Sequence, residues 1–247
     1  MIYFRGCVVR EKLSSISNAT ETILKTAGVD YTIIDNEKCC GSFLMRTGFK
    51  DDALEVMEET FKQLQDAGDD KILVSCAGCY NTLKNDYNKV FGVELDVLHT
   101  SELIDQLIIE GKLEIKKLPL KVTYHDPCHL GRHSGLYEEP RNVINKTCVL
   151  VEMNRNRERS RCCGAGAGVR SAFPDTALEV ASKRVQDAEE TGAEILVTSC
   201  SFCILNLENA LDHKLEDVNS VSHGCTSISE ILDVSELILK GLKDEEV

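Results

Sequence analysis

The chain has 247 residues, of which 43% are hydrophobic and 28% are charged, and this composition excludes a disordered or collagen-like chain. Its 41 acidic and 28 basic residues give a net charge of -13 at pH 7, which disfavours nucleic acid as a partner. No apolar run approaches the roughly 18 residues that cross a bilayer, and no charged leader precedes a long apolar core. We therefore expect a cytoplasmic protein without a transmembrane segment.

In the first half of the chain, β-rich runs alternate with helical patterns. The predicted strands are 2–5, 29–34, 72–75 and 93–98. The predicted helices are 20–27, 51–67 and 101–110. Helix 51–67 is the clearest, because it starts with carboxylates, stops at Gly68 and places Leu54, Met57, Phe61 and Leu64 on one stripe.

The second half repeats this order. The predicted strands are 120–124, 148–153, 194–198 and 217–222. The predicted helices are 175–191 and 227–240. Helix 175–191 stops at Gly192 and carries its own stripe of Leu178, Ala181, Val185 and Ala188. Because strand and helix alternate, we predict an α/β fold of two tandem Rossmann-like domains with parallel sheets, related by a pseudo-twofold axis. The Lys- and Glu-rich connector at 111–118 places the boundary between domains 1–115 and 116–247.

Ten of the twelve cysteines form one series twice: a single cysteine, an adjacent pair followed by glycine, and a CxxC pair. The first series is Cys7, Cys39, Cys40, Cys76 and Cys79. The second series is Cys128, Cys162, Cys163, Cys200 and Cys203. Matching members are offset by 121 to 124 residues, and His99 and His223 are also 124 apart. This regularity indicates an internal duplication.

The cysteines of both series fall at predicted junctions between a strand and a helix. In a parallel sheet these junctions share the carboxyl edge, where open α/β sheets bind their ligands. Residues far apart in sequence are therefore gathered on one rim. Each repeat can build one metal site there.

Five cysteines per repeat are more than the usual metal sites require. Tetrahedral zinc takes four ligands, and ordinary cubane iron–sulfur clusters also take four, usually from a compact run of cysteines that this chain lacks. Either one thiol stays free as a nucleophile, or adjacent thiolates bridge irons in a cluster of unusual shape. Structural zinc and disulfide pairing remain as alternatives, the second opposed by a reducing compartment.

The two series resemble the cysteine-rich CCG domain of heterodisulfide reductases, which occurs in their B-type subunit and in the cysteine-rich half of their D-type subunit. Related subunits of thiol:fumarate reductase and of glycolate or lactate oxidation complexes share the pattern. The resemblance covers nearly the whole chain and includes the glycine after each cysteine pair. The segment 125–133, His-Asp-Pro-Cys-His-Leu-Gly-Arg-His, is especially similar to the D-type branch.

The resemblance implies two noncubane four-iron four-sulfur clusters, each held by one series of five cysteines, with a disulfide cleaved between them. It also implies a partner, an iron–sulfur or flavoprotein subunit that donates electrons, and a small thiol or disulfide as substrate. Cys7 follows Arg5-Gly6 where Cys128 follows Asp-Pro, so the two clusters need not be chemically equivalent.

Three residues near Cys128 are candidates for catalysis: His129, Arg132 and His133. Imidazoles, including that of His125, can deliver protons to a departing thiolate because they titrate near neutral pH. Arg132, like Arg141 and Arg170, could bind phosphate, sulfonate or carboxylate groups of a substrate. Structural hydrogen bonds and pairing with carboxylates are the alternative roles.

The remaining candidates have less specific signals. His99 and His223 are expected to position cluster sulfur. The run 164–168, Gly-Ala-Gly-Ala-Gly, lacks the sixth-position glycine of a dinucleotide loop and is interpreted as a close backbone approach to cluster or substrate. Cys148 lies in an apolar strand and is expected in the core, whereas Cys225 could reach a cluster rim.

Two functions from different classes follow. The leading one is an iron–sulfur subunit that reduces a disulfide, or oxidises two thiols, with the coenzyme M and coenzyme B heterodisulfide as the substrate that the resemblance implies. The other is an electron-relay subunit of a flavin-dependent glycolate, lactate or succinate dehydrogenase or fumarate reductase complex. A structural zinc scaffold is a third interpretation, and it leaves the fifth cysteine of each series unexplained.

Overall fold

The computed structural model describes residues 1–220 and 227–242, and of residues 217–220 it describes the backbone only. His223 and Cys225 lie outside the described residues. Within them, seven strands form two parallel sheets with helices on their faces. None of the described helices is long and apolar enough to span a membrane.

The first sheet has the strand order β1-β2-β3, and the second has the order β5-β4-β6-β7. The strands are β1 (Ile2–Phe4), β2 (Lys71–Val74), β3 (Asp96–His99), β4 (Lys121–His125), β5 (Val149–Leu150), β6 (Ile195–Thr198) and β7 (Glu230–Asp233). All the pairings within both sheets are parallel, as the alternation of strand and helix predicts. The strands β1 and β6 are buried along their whole length, because helices cover both faces of each sheet.

The helices of the first repeat are α1 (Cys7–Lys12), α2 (Ser14–Thr26), α3 (Ser42–Thr47), α4 (Lys50–Asp66), α5 (Ala77–Asn81), α6 (Tyr87–Phe91) and α7 (Thr100–Ile109). A π-helical turn, Thr82–Asp86, joins α5 to α6. The helices of the second repeat are α8 (Glu138–Thr147), α9 (Val169–Ala172), α10 (Pro174–Glu189), α11 (Ser201–Ser220) and α12 (Val234–Gly241), with a short 3-10 turn at Arg157–Arg159.

The predicted amphipathic helices are confirmed as α4 and α10, but their buried faces are turned slightly from the prediction. In α4 the fully covered residues are Ala53, Met57, Thr60 and Leu64, while Phe61 packs at the margin of the core. In α10 a charged residue, Arg184, is buried between alanines. Thr60 and Arg184 are polar at these buried positions because their side chains form hydrogen bonds to neighbouring loops. Thr60 bonds to the carbonyl of Cys39, and Arg184 bonds to the loop at residues 155–160.

The predicted strand at 217–222 is wrong. Helix α11 runs through residue 220, and the last strand is β7, which replaces the start of the predicted helix at 227–240. The strand was expected at the same distance from the CxxC pair as in the first repeat. In the second repeat the helix that follows the CxxC pair is longer, so the next strand begins later. The predicted strand at 29–34 is reduced to one bridge between Ile2 and Thr32.

Two apolar clusters form the core, and each draws residues from both halves of the chain. Helix α2 packs on α12, and α7 packs on α8, so the repeats are joined through their helices. The connector runs back against the end of α12, where Lys116 donates a backbone hydrogen bond to Gly241. We keep the division into 1–115 and 116–247 as a proposal.

The glycine that follows each cysteine pair adopts a left-handed backbone, with φ of 82° at Gly41 and 86° at Gly164. Other residues reach this region only at a cost of roughly 1–2 kcal/mol. At Gly164 a Cβ atom would also lie 2.7 Å from the carbonyl oxygen of Ala177 in α10. Glycine therefore allows the chain to turn sharply against the helix directly after the paired thiols.

Gly164→Ala is expected to lower the free energy of unfolding by about 2–3 kcal/mol, the sum of backbone strain and a clash with main-chain oxygen. Gly192→Ala is the matched control, since Gly192 has φ of 67° and no atom near its added Cβ. Its loss should be about 1 kcal/mol. Urea unfolding of both variants measures the difference, and equal losses would show that the contact with Ala177 is unimportant.

The half-buried carboxyl of Glu208 on α11 gives a pH dependence to stability. Burial, with smaller contributions from Glu236 and Asp212, raises the pKa of Glu208 from 4.5 to about 7. The folded protein therefore holds this proton more tightly than the unfolded chain, and stability falls as the pH rises from 4.5 to about 7. Glu208→Gln should raise the free energy of unfolding at pH 8 by about 1 kcal/mol after allowance for solvent screening.

The gain from Glu208→Gln should be smaller at pH 6, where Glu208 of the folded wild type is largely protonated. Urea midpoints at the two pH values measure this. Glu55→Gln, on the exposed face of α4, should give no gain at either pH. A gain from Glu208→Gln that does not depend on pH would contradict the assignment.

Candidate functional site

The cysteines are positioned by strand ends. Cys7 begins α1 shortly after β1, and Cys128 follows β4. Cys76 caps the start of α5 after β2, and Cys200 directly precedes α11 after β6. Because the strands are parallel, these four positions share one edge of the molecule.

All ten cysteines of the two predicted series line one cavity, here called the thiol cavity. Its lining residues include Cys7, Cys39, Cys40, Cys76, Cys79, Cys128, Cys162, Cys163, Cys200 and Cys203. Both CxxC pairs and the second cysteine of each adjacent pair are buried, Cys7, Cys39 and Cys128 are partly accessible, and Cys162 is exposed. The repeats thus contribute equally to one space.

Within each repeat the thiols form a continuous chain of contacts. In the first repeat, Cys7 lies 3.8 Å from Cys39 between Sγ atoms. The order then continues through Cys40 and Cys79 to Cys76. The second repeat has the same order, from Cys128 through Cys162, Cys163 and Cys203 to Cys200.

The two chains of thiols meet where the side chains of Cys76 and Cys200 interact. These residues hold equivalent positions in the two repeats. Their contact joins the two ligand sets through matching members of the duplication. Every cysteine among the described residues is a free thiol.

Hydrogen bonds between the thiols lower the pKa of some of them and raise the pKa of their neighbours. Bonds from Cys40 and Cys7 lower the pKa of Cys39 to about 3. Bonds from Cys128 and Cys163 lower the pKa of Cys162 to about 2, and the Gly164 amide also donates to its sulfur at 3.3 Å. Five neighbouring thiols can all ionise only if a cationic group offsets their repulsion.

The donor set fits an iron–sulfur group. Thiolates are the soft ligands that iron–sulfur clusters take, and each repeat offers five of them in contact and largely shielded from water. Cys148 lies apart from this set in the apolar core, where burial raises its pKa to about 11.

Hydroxyl groups support both CxxC pairs in the same way. The phenol of Tyr3 bonds to Ser75 at 2.8 Å, and that of Tyr124 bonds to Ser199 at 3.1 Å. Ser75 and Ser199 directly precede Cys76 and Cys200. The same tyrosine–serine hydrogen bond therefore lies next to the CxxC pair in both repeats.

His99 is buried at the end of β3, next to the residues that precede both CxxC pairs, and its positioning of cluster sulfur stays a prediction. Its Nδ1 accepts a hydrogen bond from the Ser101 amide, and its ring faces the carbonyls of Ser75 and Ser199. Burial lowers the pKa of His99 to about 4, so the ring is neutral. In the second repeat, Asp233 occupies the position equivalent to His99, at the end of the last strand of the sheet. Asp233 is the partner of Thr198 in the pairing of β6 with β7, just as His99 is the partner of Val74 in the pairing of β2 with β3.

The three predicted catalytic residues have different surroundings. His129 lines the thiol cavity. His133 stacks edge-on against it, with ring centres 5.3 Å apart, and lies outside the cavity. Arg132 donates a hydrogen bond to the carbonyl of Ser160 at 2.6 Å and thereby stabilises the loop before Cys162.

The other arginines singled out in the sequence do not line the thiol cavity. Arg141 is buried and makes a bidentate pair with Asp126 at 2.6 and 3.0 Å, besides bonding to Glu152, so it has the structural role considered as its alternative. Arg170 is exposed on α9. Arg46, which lies 124 residues before Arg170, lines the cavity instead.

A second, open cavity of about 820 Å³ adjoins the first and is here called the polar chamber. Arg46 and His129 belong to the walls of both. The polar chamber is also lined by Asn81, Lys84, Asn85, Asp86, Asn88, Lys89, Glu94, Leu95 and His133. Most of these residues come from the helix that follows the first CxxC pair, and sequence reasoning missed them because no motif marks that surface.

The glycine-rich run lies at the thiol cavity, and its close approach to a cluster or substrate stays a prediction. Ala165, Gly166 and Ala167 line the thiol cavity with small side chains. A Cβ atom at Gly168 would lie 2.8 Å from Thr47 of the first repeat. The run therefore closes the cavity from the second repeat and touches α3 across it.

The chain matches the family model described as cysteine-rich domain, CCG, over residues 1–84 and 122–208. It is 40% identical to the D-type subunit of the dihydromethanophenazine:CoB–CoM heterodisulfide reductase of Methanosarcina acetivorans over 227 residues, 88% of this chain and 56% of that protein. It is 35% identical to the B-type subunit of the fumarate reductase (CoM/CoB) of Methanothermobacter marburgensis, covering 94% of this chain and 46% of that one.

A third relative, the EtfAB:quinone oxidoreductase of Syntrophomonas wolfei, is 29% identical over 98% of this chain and 34% of its own length. The chain spans about half the length of the first two relatives. Both matched segments of the family model contain a complete series of five cysteines. The chain therefore belongs to the cysteine-rich CCG domain family.

Proposed function

We propose that this chain is an iron–sulfur oxidoreductase subunit that reduces a disulfide, or oxidises two thiols, at two noncubane four-iron four-sulfur clusters. The observation that carries the proposal is the convergence of two equivalent sets of five thiols in one cavity beside a polar chamber. The names of the heterodisulfide reductase and fumarate reductase relatives support the same chemistry. Each series of cysteines would hold one cluster.

The clusters, when bound, would supply electrons one at a time, so that a disulfide, two electrons and two protons give two thiols. The chain itself must deliver the protons and exclude bulk water. His129 is suited to relay a proton because it borders both the thiol cavity and the polar chamber. Burial and the nearby Arg46 lower the pKa of His129, so the resting ring is mostly neutral, and the imidazolium that forms when it gains a proton from the polar chamber readily passes that proton to a thiolate.

The polar chamber favours a substrate with anionic groups. Arg46, Lys84 and Lys89 line it, opposed by Asp86 and Glu94, on a chain that is otherwise strongly acidic. A disulfide in the thiol cavity could extend a phosphate, sulfonate or carboxylate group into this chamber. The CoM and CoB in the relatives' names make their heterodisulfide the first substrate to test.

The second candidate is an electron-relay subunit that passes electrons between a flavin-dependent dehydrogenase of glycolate, lactate or succinate and an acceptor. Contact between Cys76 and Cys200 favours it, since two cluster sites that touch allow rapid electron exchange. The relative named EtfAB:quinone oxidoreductase also supports it. Both candidates need a partner, an iron–sulfur or flavoprotein subunit, and the acidic surface suits a basic face on that partner.

Protein purified without oxygen should contain about eight irons with matching acid-labile sulfide per chain, two clusters of four irons. Cys163→Ala should lose about half of the iron, because it breaks one set of ligands. Cys148→Ala should lose none, since Cys148 lies in the apolar core. Two zincs without sulfide would contradict both proposed functions.

Lys84→Met should raise the KM for an anionic disulfide about tenfold, the loss of one charge-assisted contact of roughly 1.4 kcal/mol, and leave kcat nearly unchanged. Turnover is measured with a reduced viologen dye as electron donor. An uncharged disulfide should show no change in KM. Lys38→Ala, at an exposed ion pair with Glu59, is the control. Absence of disulfide turnover in iron-loaded wild type would favour the relay function.

A further inference from the structure

One position next to the thiols breaks the symmetry of the two repeats. His125 ends β4 and pairs with Thr198, in the register where Phe4 of the first repeat pairs with Val74. His125 and Phe4 each lie three residues before the leading cysteine, and both are buried. The second repeat thus has an imidazole where the first has a hydrocarbon ring.

A buried arginine holds this imidazole. Arg184 of α10 is 0% exposed, and its Nε donates to Nδ1 of His125 at 3.0 Å. Its Nη atoms donate to the carbonyl of Arg155 at 2.9 Å, to the hydroxyl of Ser160 at 3.1 Å and to the carboxylate of Asp187 at 3.3 Å. The matching position in α4 of the first repeat is Thr60, which has no charge and bonds to the Cys39 carbonyl.

The arginine fixes the tautomer of His125. A guanidinium has donors only, so Nδ1 must accept and cannot carry a proton. With Nδ1 accepting this hydrogen bond, the ring is neutral. Its single proton is therefore on Nε2.

The protonated nitrogen has no hydrogen-bond partner among the described residues, and two thiols lie close to the ring. Nε2 of His125 is buried, and none of the residues that the structure describes offers it an acceptor. A ring nitrogen of His125 and the Sγ atoms of Cys163 and Cys203 lie within 4.8 Å of one another. Because Nε2 bears a proton, it can donate to sulfur but cannot serve as a metal ligand.

Other charges near the two sites balance. The first repeat buries Glu37 beside Arg10, at 3.6 Å, and the second buries Asp126 against Arg141, at 2.6 Å. Each repeat thus pairs one buried acid with one arginine. The second repeat adds the buried Arg184, whose charge is offset by Asp187 at 3.3 Å. The imidazole N–H of His125 is the group that the first repeat lacks at this position.

We propose that His125 donates a hydrogen bond from Nε2 to sulfur of the second cluster site and makes that site the one reduced first. This inference rests on the proposed function. A hydrogen bond to sulfur stabilises the added negative charge of a reduced cluster. Because the guanidinium behind the ring is paired with Asp187, its role is to hold the imidazole, and the N–H of that ring is the group that acts on the sulfur. His125 is a positioning residue that sets the direction of electron flow between the repeats.

The test is a redox titration followed by electron paramagnetic resonance, with iron measured on the same samples. His125→Phe, which copies Phe4, should disfavour reduction of one cluster about tenfold, a decrease of 59 mV for one electron. The other cluster should keep its potential. His125→Gln retains an N–H donor and should stay close to wild type.

Three results would decide against the proposal. Unchanged potentials in iron-loaded His125→Phe would overturn it and leave the proposed function intact, whereas loss of half the iron would make His125 a ligand. Wild-type protein without iron would overturn the proposed function together with this inference.

A measurement on wild-type protein avoids the risk that a variant fails to fold. With nitrogen-labelled histidine, electron–nuclear double resonance should detect an exchangeable proton and weak nitrogen coupling at the reduced cluster. Strong coupling, as from a directly bonded nitrogen, would contradict the assigned tautomer.

Discussion

Mutual repulsion of closely packed thiolates is the constraint on which this molecule depends. Ten sulfur atoms share one cavity, and hydrogen bonds hold some thiols acidic while their neighbours keep protons. The parallel sheets impose this crowding, because they bring all their strand ends to one edge. A cationic group that binds the thiolates removes the repulsion, and for this reason the cysteine sets are best explained as cofactor ligands.

The duplication explains the features that the two repeats share, and the features in which they differ are the ones that bear on chemistry. Tyr3 and Tyr124 support the two CxxC pairs alike, so the frame of the site is symmetric. The polar chamber is lined mostly by the first repeat, with His129 and His133 from the second, whereas the buried pair of His125 and Arg184 lies wholly in the second repeat. Under the two proposals, substrate groups would be bound mainly by one half of the chain and electrons would be attracted to the other.

The sequence predicted the features that depend on local pattern and spacing. The parallel α/β fold, helices α4 and α10 and the gathering of ten cysteines all follow from periodicity and from the rule that such sheets bind ligands at one edge. The strand at 217–222 failed because the repeats differ in helix length, and spacing in one repeat cannot reveal an insertion in the other. Arg46, Arg141 and Arg184 required coordinates, since whether an arginine meets a carboxylate, an imidazole or a cavity depends on packing between distant segments.

The contact between Cys76 and Cys200 has a consequence for how the protein matures. The two residues begin the helices that follow β2 and β6, so ordering one CxxC pair restricts the other. With the proposed clusters, filling one ligand set would prepare its neighbour, and wild-type chains carrying a single cofactor should be scarce during assembly. Under the proposed function, maturation in the cell would then be cooperative and governed by the first insertion.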